Sequence, residues 1–366
     1  MKTCFIMNFG PHYRFPIYSS IGNTFNVQMF FGDHLRENIK SMDYNRLPSF
    51  GGVLHNIFIG PFYWQVGAVS KIYSRSYRQF VMVGDVYCLS TWVILLLALF
   101  MPSKKTCLWT HGLYGSETTL QRIVKLFFYK LCDKLLVYNE FSISNMIKAG
   151  IKEAKMMCIA NSLDSEKEKA IRNRMGDTTI YSSHFNNDNS VIIYCGRIQK
   201  RKRLDILVEA IHSLNDKQIR SNIVIVGKDD DGVNLEELVR EKGLENQVWF
   251  YGPCYDDEKL AELFYNANVC VSPGNVGLTA VHSLTFGCPV VTHNDFTMQM
   301  PEFEAIQDGI TGSFFEMNNI QSLVQALIPW LTKGKREREQ IRQAAFAEID
   351  RKWNVDHQIS VLSQIL

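Results

Sequence analysis

The second half of the chain alternates five short apolar runs with four helix-length segments. The runs are VIIYCG (191–196), NIVIVG (222–227), VWFYG (248–252), VCVSP (269–273) and PVVTH (289–293), and helical patterns lie over 204–214, 233–242, 256–266 and 278–286. Strands this continuously apolar suit burial on both faces, and a helix between each pair supplies the crossover that parallel strands need. The pattern predicts a doubly wound parallel sheet. The first half repeats it less regularly, with strand-like runs at Thr3–Asn8, Phe25–Phe31, Val53–Ile59, Phe80–Val83, Thr106–Trp109, Lys134–Tyr138 and Met156–Ile159, and helices over 117–132 and 140–149.

At 366 residues the chain exceeds one ordinary core and suits two domains. The stretch MGDTTIYSSHFNNDNS (175–190) is polar and rich in Asn, Ser and Asp, as a linker would be. The expected division is therefore a first domain over 1–174, a linker over 175–190, a second domain over 191–350 and a C-terminal helix over 351–366 that packs back on the first domain. The expected fold class is α/β, with two doubly wound, Rossmann-like domains facing a central cleft. In such sheets ligands bind beyond the carboxyl ends of the strands, so chemistry is sought in the loops there.

Composition narrows the function classes. A hydrophobic fraction of 46% with 21% charged residues fits a globular protein, and a net charge of +2 gives no support for a nucleic-acid partner. Nine cysteines without a CxxC pair point to reduced, buried thiols in a cytoplasmic protein. No metal site and no cofactor are expected. The opening MKTCFIMNFGPHYR is expected to be a first strand and not a cleaved signal. The apolar run Trp92–Met101 falls short of the roughly 20 residues that span a bilayer and is expected to be a buried helix.

Five loops carry candidate chemistry. GRIQKRKRLD (196–205) places Gly196, Arg197 and Lys202 after a strand, where cations neutralise a diphosphate; it also suits a solvated basic turn. In SPGNVGLTAVHSLTFG (272–287), a small-residue turn at Asn275, Val276, Gly277, Leu278 and Thr279 runs into a helix whose free amides and positive dipole end suit a phosphate. WTHGLYGSET (109–118) holds His111, a hydrogen-bonding group or base, or equally a residue that ties its own loop. NFGPHYRFP (8–16) offers Gly10, His12, Tyr13 and Arg14 to a polar acceptor or makes an ordinary turn. QMPEFEAIQDGITGSFFE (299–316), after the last expected strand, supplies Glu302 as a possible sugar contact among commoner surface carboxylates.

Together GR with Lys202 five positions on and LDILVEA after it, the GL turn before a helix ending Phe-Gly-Cys-Pro-Val-Val, PE followed by DGITG, and IANSLD (159–164) resemble the GT-B glycosyltransferases of family 4, the "glycosyl transferases group 1" type. The likeness is strongest over 191–316, and NFGPHYR and WTHGLYG resemble bacterial members that build capsules and O-antigens. The resemblance implies a nucleotide-sugar donor, UDP- or GDP-linked, on the second domain and an acceptor on the first. It implies that Arg197 and Lys202 contact the diphosphate and stabilise the leaving group without a metal. It places donor contacts at Asn275, Val276, Gly277, Leu278 and Thr279, the nucleobase near Gly227, Lys228 and Pro253, the acceptor near the 8–14 loop, and His111 beside the reacting sugar.

One departure stands out. The family shows two glutamates eight positions apart around the glycine turn, and in this register those places hold Gly274 and His282. His282 can hydrogen-bond a ribose hydroxyl, whereas Gly274 has no side chain to hold the sugar. The expected activity is a retaining, metal-independent glycosyltransferase (EC 2.4) of surface-polysaccharide synthesis with a lipid-linked oligosaccharide acceptor, working at the cytoplasmic face of the inner membrane. KIYSRSYRQF (71–80) suits lipid headgroups or a plain solvated face. A GT-B nucleotide-sugar epimerase and a non-catalytic glycosyltransferase-like partner are the alternatives.

Overall fold

A computed structural model describes residues 2–37 and 39–366. The chain divides into two compact units, residues 1–164 with 354–366, and residues 165–353.

The first unit contains β1 (Lys2–Met7), α1 (Phe15–Thr24), β2 (Val27–Gly32), β3 (Phe50–Leu54), β4 (Asn56–Ile59), β5 (Phe62–Gln65), β6 (Tyr77–Val83), α2 (Leu89–Leu99), β7 (Lys105–Thr110), α3 (Thr119–Leu131), β8 (Lys134–Val137), α4 (Glu140–Lys148) and β9 (Met156–Cys158). Seven strands form a parallel sheet in the order β3-β2-β1-β6-β7-β8-β9, and β4 and β5 make a separate antiparallel hairpin. The order reverses between β1 and β6. The apolar strands feed a core on each face: Ile6, Phe80, Leu108 and Phe128 on one, Phe5, Phe31, Trp109 and Leu136 on the other. That alternation along β1 is the period of two that a doubly covered strand must show.

The second unit contains α5 (Ser165–Arg172), α6 (Ile180–Phe185), β10 (Ser190–Cys195), α7 (Leu204–Asp216), β11 (Ser221–Val226), α8 (Leu235–Glu241), β12 (Val248–Gly252), α9 (Asp257–Asn266), β13 (Val269–Ser272), α10 (Leu278–Thr285), β14 (Val290–His293), β15 (Gly312–Phe315), α11 (Ile320–Leu331) and α12 (Lys335–Lys352). Its six strands are parallel in the order β12-β11-β10-β13-β14-β15, the doubly wound order whose switch point lies between β10 and β13. The last helix, α13 (Val355–Leu362), belongs to the first unit: Gln358 Nε2 donates to Ala160 O at 3.1 Å and Ser162 Oγ donates to Gln358 Oε1 at 2.6 Å.

Several sequence expectations are corrected. The division falls at 164/165, ten residues before the expected one, because α5 packs on α9 and α10 within the second unit. Residues 175–190 are not a free linker: α6 lies among them, with Tyr181 buried and its hydroxyl donating to Leu263 O at 2.6 Å. The run Val53–Ile59 is two strands in different sheets, split at the exposed His55. The expected last strand at 289–293 is followed by β15, which lies inside the loop assigned to 299–316. The helix in the apolar run begins earlier, at Leu89, and is only half-buried. Ile94 and Leu95 are covered, while Leu96, Leu99 and the following Phe100 are exposed.

Candidate functional site

In the second unit, the ends of β10, β11 and β12 and the loops that follow them are tied together by backbone. The Gly196 amide donates to Val226 O (2.9 Å), the Gly227 amide to Gly252 O (3.0 Å) and the Ile198 amide to Lys228 O (2.8 Å). Gly196 has φ +148°, and a Cβ on Gly227 would lie 1.9 Å from Gly196 O. Only glycine permits that approach. Arg197 leaves this junction exposed, its own carbonyl accepting from the Tyr194 hydroxyl at 2.7 Å. Lys228 and Pro253 are exposed beyond the ends of β11 and β12.

The basic loop and the glycine turn flank the switch point and are locked to each other. The Gly274 amide donates to Lys202 O (2.9 Å), and Lys202 Nζ donates to Asn275 O (2.5 Å). A Cβ at Gly274 would lie 2.1 Å from Arg201 O and 2.8 Å from Lys202 Cα. The missing glutamate therefore has a steric cause: the backbone of residues 201–202 occupies the space that any side chain at 274 would need. Burial holds the Lys202 ammonium down at about 8, with the charges of Arg201 and Arg197 adding to that and Glu302 opposing it. Glu302 itself is buried, in the turn Pro301–Ala305.

The glycine turn is supported from below by a residue that sequence reasoning passed over. Gln299 is buried; its Oε1 accepts from the Val276 amide (2.7 Å), and its Nε2 donates to Thr292 Oγ1 (2.8 Å) and His293 O (2.9 Å). The Val276 amide is thus spent inside the protein and is removed from the set of donor contacts. Thr279 Oγ1 is likewise engaged, donating to Cys195 O at 3.1 Å and tying α10 to the end of β10. The helix starts at Gly277 with no side-chain cap, so its dipole end and the first-turn amides at Leu278 and Thr279 have the chemistry to receive an anion. Asn275 Oδ1 is buried with no hydrogen-bond partner among the described residues.

His282, further along α10, packs between the rings of Phe264 (5.1 Å) and Phe286 (5.3 Å), with Nε2 3.5 Å from Glu168 Oε1. Burial pushes its pKa down to about 4, so the imidazole is neutral at pH 7.

The carboxyl edge of the first unit's sheet is organised by side chains. Arg14, after β1, donates through Nη2 to the Tyr138 hydroxyl (2.5 Å) and to Asn161 Oδ1 (3.0 Å). Its guanidinium lies 5.3 Å from the Trp109 ring centre and 5.1 Å from that of Tyr138. His111, after β7, stacks on Tyr114 (5.9 Å) and packs on Tyr138 (4.7 Å). Burial, with the positive charges of Arg14 and Lys125, brings the His111 pKa down to about 4, and its Nδ1 is buried without a hydrogen-bond partner among the described residues. Four strand ends thus meet through Arg14, His111, Tyr138 and Asn161.

Sequence reasoning named Arg14 and His111 but not Tyr138, and it met Asn161 only within IANSLD. The 8–14 loop divides: His12 and Tyr13 are exposed, whereas Gly10 is buried, its amide donating to the Tyr44 hydroxyl at 3.2 Å. A Cβ at Gly10 would lie 2.8 Å from the Tyr44 ring, so this glycine is a packing residue and not a ligand surface.

Two doubly wound, Rossmann-like units, one with glycines and exposed cations beside its switch point, are the parts of the GT-B fold. Residues 177–347, which make up most of the second unit, match the family described as glycosyl transferases group 1. The chain is 27% identical over 205 residues to the alpha-monoglucosyldiacylglycerol synthase of Acholeplasma laidlawii, covering 54% of this chain and 46% of that protein. The chain spans less than half the length of the curated relatives it matches. Over its full length it superposes on Anabaena HepE in complex with UDP (TM-score 0.72, 15% identity, 99% of that chain). It superposes equally on the lipopolysaccharide outer core galactosyltransferase WaaB in its apo form (TM-score 0.72, 14% identity, 100% of that chain). No helix among the described residues is long and apolar enough to cross a membrane.

Proposed function

We propose that this protein is a metal-independent, retaining glycosyltransferase that moves a sugar from a UDP- or GDP-sugar to a hydroxyl of a lipid-linked surface-polysaccharide intermediate. The observation that carries this reading is the lock between the basic loop and the glycine turn. Lys202, its pKa brought down to about 8 by burial, sits against Asn275 at the start of an uncapped helix beside the exposed Arg197, where a diphosphate would raise that pKa again and hold the charge. In the transfer the bond from the anomeric carbon to phosphate oxygen breaks, the nucleoside diphosphate leaves with the electron pair, and the acceptor oxygen bonds to the anomeric carbon. The acceptor proton passes to the departing phosphate. Arg197, Lys202 and the amides of Leu278 and Thr279 stabilise the charge that grows on the leaving group. His282 reaches a ribose hydroxyl, and Glu302 takes a hydroxyl of the donor sugar in place of the absent glutamate.

The acceptor is held by the first unit, where neutral His111 offers a hydrogen bond to a sugar hydroxyl and Arg14, Tyr138 and Asn161 fix the loops around it. The similarity to a glycolipid synthase and the likeness to a lipopolysaccharide transferase support a lipid-linked acceptor and work at the cytoplasmic membrane face. The test follows free nucleotide from each UDP- and GDP-sugar with and without a lipid extract. Release that requires the extract is expected. Conversion of the nucleotide sugar without it would replace the transferase by an epimerase, and no turnover or nucleotide binding would leave a non-catalytic partner.

A further inference from the structure

We infer that the exposed face of α2 and α3 in the first unit docks on an anionic lipid bilayer. The two helices touch through Trp92, which stacks on Phe127 at 6.0 Å and packs on Phe128 at 4.7 Å. Away from that seam the pair presents apolar side chains to solvent: Leu96 (43% exposed), Leu99 (56%) and Phe100 (84%) at the end of α2, and Leu120 (71%), Ile123 (58%) and Val124 (37%) along α3. On α3 these positions follow the spacing of one helical stripe, and the stripe points out, not in. Of the nineteen large hydrophobic residues exposed among the described residues, seven lie on α2, on α3 or at the residue that follows α2. A soluble surface does not concentrate apolar groups in this way without something to cover them.

Charge identifies the cover. Residues 44–132 carry nine Lys and Arg against two acids, Asp85 and Glu117, in a chain whose net charge is only +2. Glu117 is already paired with Lys125 at 2.7 Å. Around the apolar face, Arg122 and Lys130 are exposed on α3, which has no acidic residue, Arg75 is exposed on the loop that packs by the end of α2, and Arg78 is exposed just beyond it at the start of β6. That loop is fixed there by buried Lys104, whose Nζ donates to Ser74 O and Tyr77 O at 2.6 Å each. An apolar stripe framed by cations lies in a headgroup layer with its hydrocarbon below and its charges among the phosphates, whereas a protein partner would need a matching acidic surface. Helix α3, with 13 residues, is about 20 Å long and lies on a bilayer without crossing it. The docking deepens the membrane-side placement proposed above, but its physical basis is independent of the transfer reaction.

The full-length protein is tested by flotation with phosphatidylcholine vesicles and with vesicles containing 30% phosphatidylglycerol (roughly the anionic fraction that makes electrostatic docking visible), with UDP binding and melting measured alongside. Partition onto the anionic vesicles is expected to exceed that onto neutral ones by about 10-fold and to fall in high salt. The combined variant Phe100→Ser/Leu120→Ser/Ile123→Ser and the variant Arg75→Glu/Arg78→Glu are each expected to lose about 10-fold, with UDP affinity and melting unchanged. These positions are exposed, so the variants do not disturb the core. Equal partition onto both vesicles or none onto either overturns the docking. So does concentration-dependent self-association that the triple variant abolishes, which would give the face to a second copy of the chain. Vesicle binding by a protein that binds no nucleotide would instead overturn the transferase reading and leave the docking standing.

Discussion

The two sheets place their loops at the same kind of edge but hold them differently. In the second unit Gly196, Gly227 and Gly274 let backbone run against backbone, and the groups proposed to bind the donor are amides, one helix end and the cations Arg197 and Lys202. In the first unit Arg14, Trp109, Tyr138 and His111 build the edge from stacked side chains. A backbone cradle suits a group that never changes, such as a diphosphate, and it tolerates no added Cβ. A side-chain cluster can be re-cut for each acceptor without disturbing the strands beneath it. The difference also explains why family likeness is strong over the second unit and faint over the start of the first.

The largest expected effect falls on the backbone lock. Gly274→Ala forces residues 201–202 to move, and nucleotide affinity is expected to fall about 100-fold with a loss of roughly 3 kcal/mol in stability. Calorimetric titration with UDP or GDP and urea unfolding check both. A Gly274→Ala protein that binds and folds normally would show that the two loops are not locked as described.

Acid pH probes both units at once. Burial holds His111 and His282 at about 4, below the 6.5 of a free histidine. The unfolded chain therefore takes up protons first as pH falls, so the stability contributed by each neutral ring is complete above about pH 6.5 and is lost on the way down to about pH 4. Linkage makes this up to about 3 kcal/mol per histidine. His111→Gln and His282→Gln should each flatten part of the fall in urea midpoint between pH 7 and 4.5. A variant whose pH dependence matches the parent protein's would remove its histidine from the buried, neutral set.

A side-chain lock should be softer than a backbone one. Tyr138→Phe removes the acceptor of one Arg14 hydrogen bond and keeps the ring, so a loss of about 1–3 kcal/mol in stability is expected, together with a fall in turnover and little change in nucleotide affinity. A drop in UDP or GDP affinity as large as that of Gly274→Ala would contradict the assignment of the two edges to different ligands. The smallest effect is the pH dependence of donor binding. Lys202, held at about 8, must be protonated to pair with a diphosphate, so affinity is full below about pH 8 and is expected to weaken about tenfold per pH unit above it. Lys202→Arg should abolish that slope while keeping binding; a slope that survives in Lys202→Arg would assign it to another group.

Five of the six strands of the second unit were legible from sequence to within a residue or two, because an apolar run with turn residues at its end is a local signal; β15 was not. The candidate cations, the glycine turn and His111 were legible for the same reason, each standing directly after a strand. The hairpin of β4 and β5, the place of α6 inside the second unit and the exposed side of α2 were not. Each depends on which distant element covers a segment, and an apolar run looks the same whether its outer face meets protein or solvent.

By itself the sequence determined the α/β class, the alternation that forces parallel sheets and the places where loops could carry chemistry. Only the tertiary structure decided what those loops touch. Gly274 is bare because Arg201 O lies where its Cβ would be, Val276 cannot lend its amide because Gln299 holds it, and Arg14 joins His111 through Tyr138, 124 positions away in the chain. Close approach between segments far apart in sequence leaves no local pattern, since the same glycine, glutamine or tyrosine is compatible with many neighbours until the chain has packed.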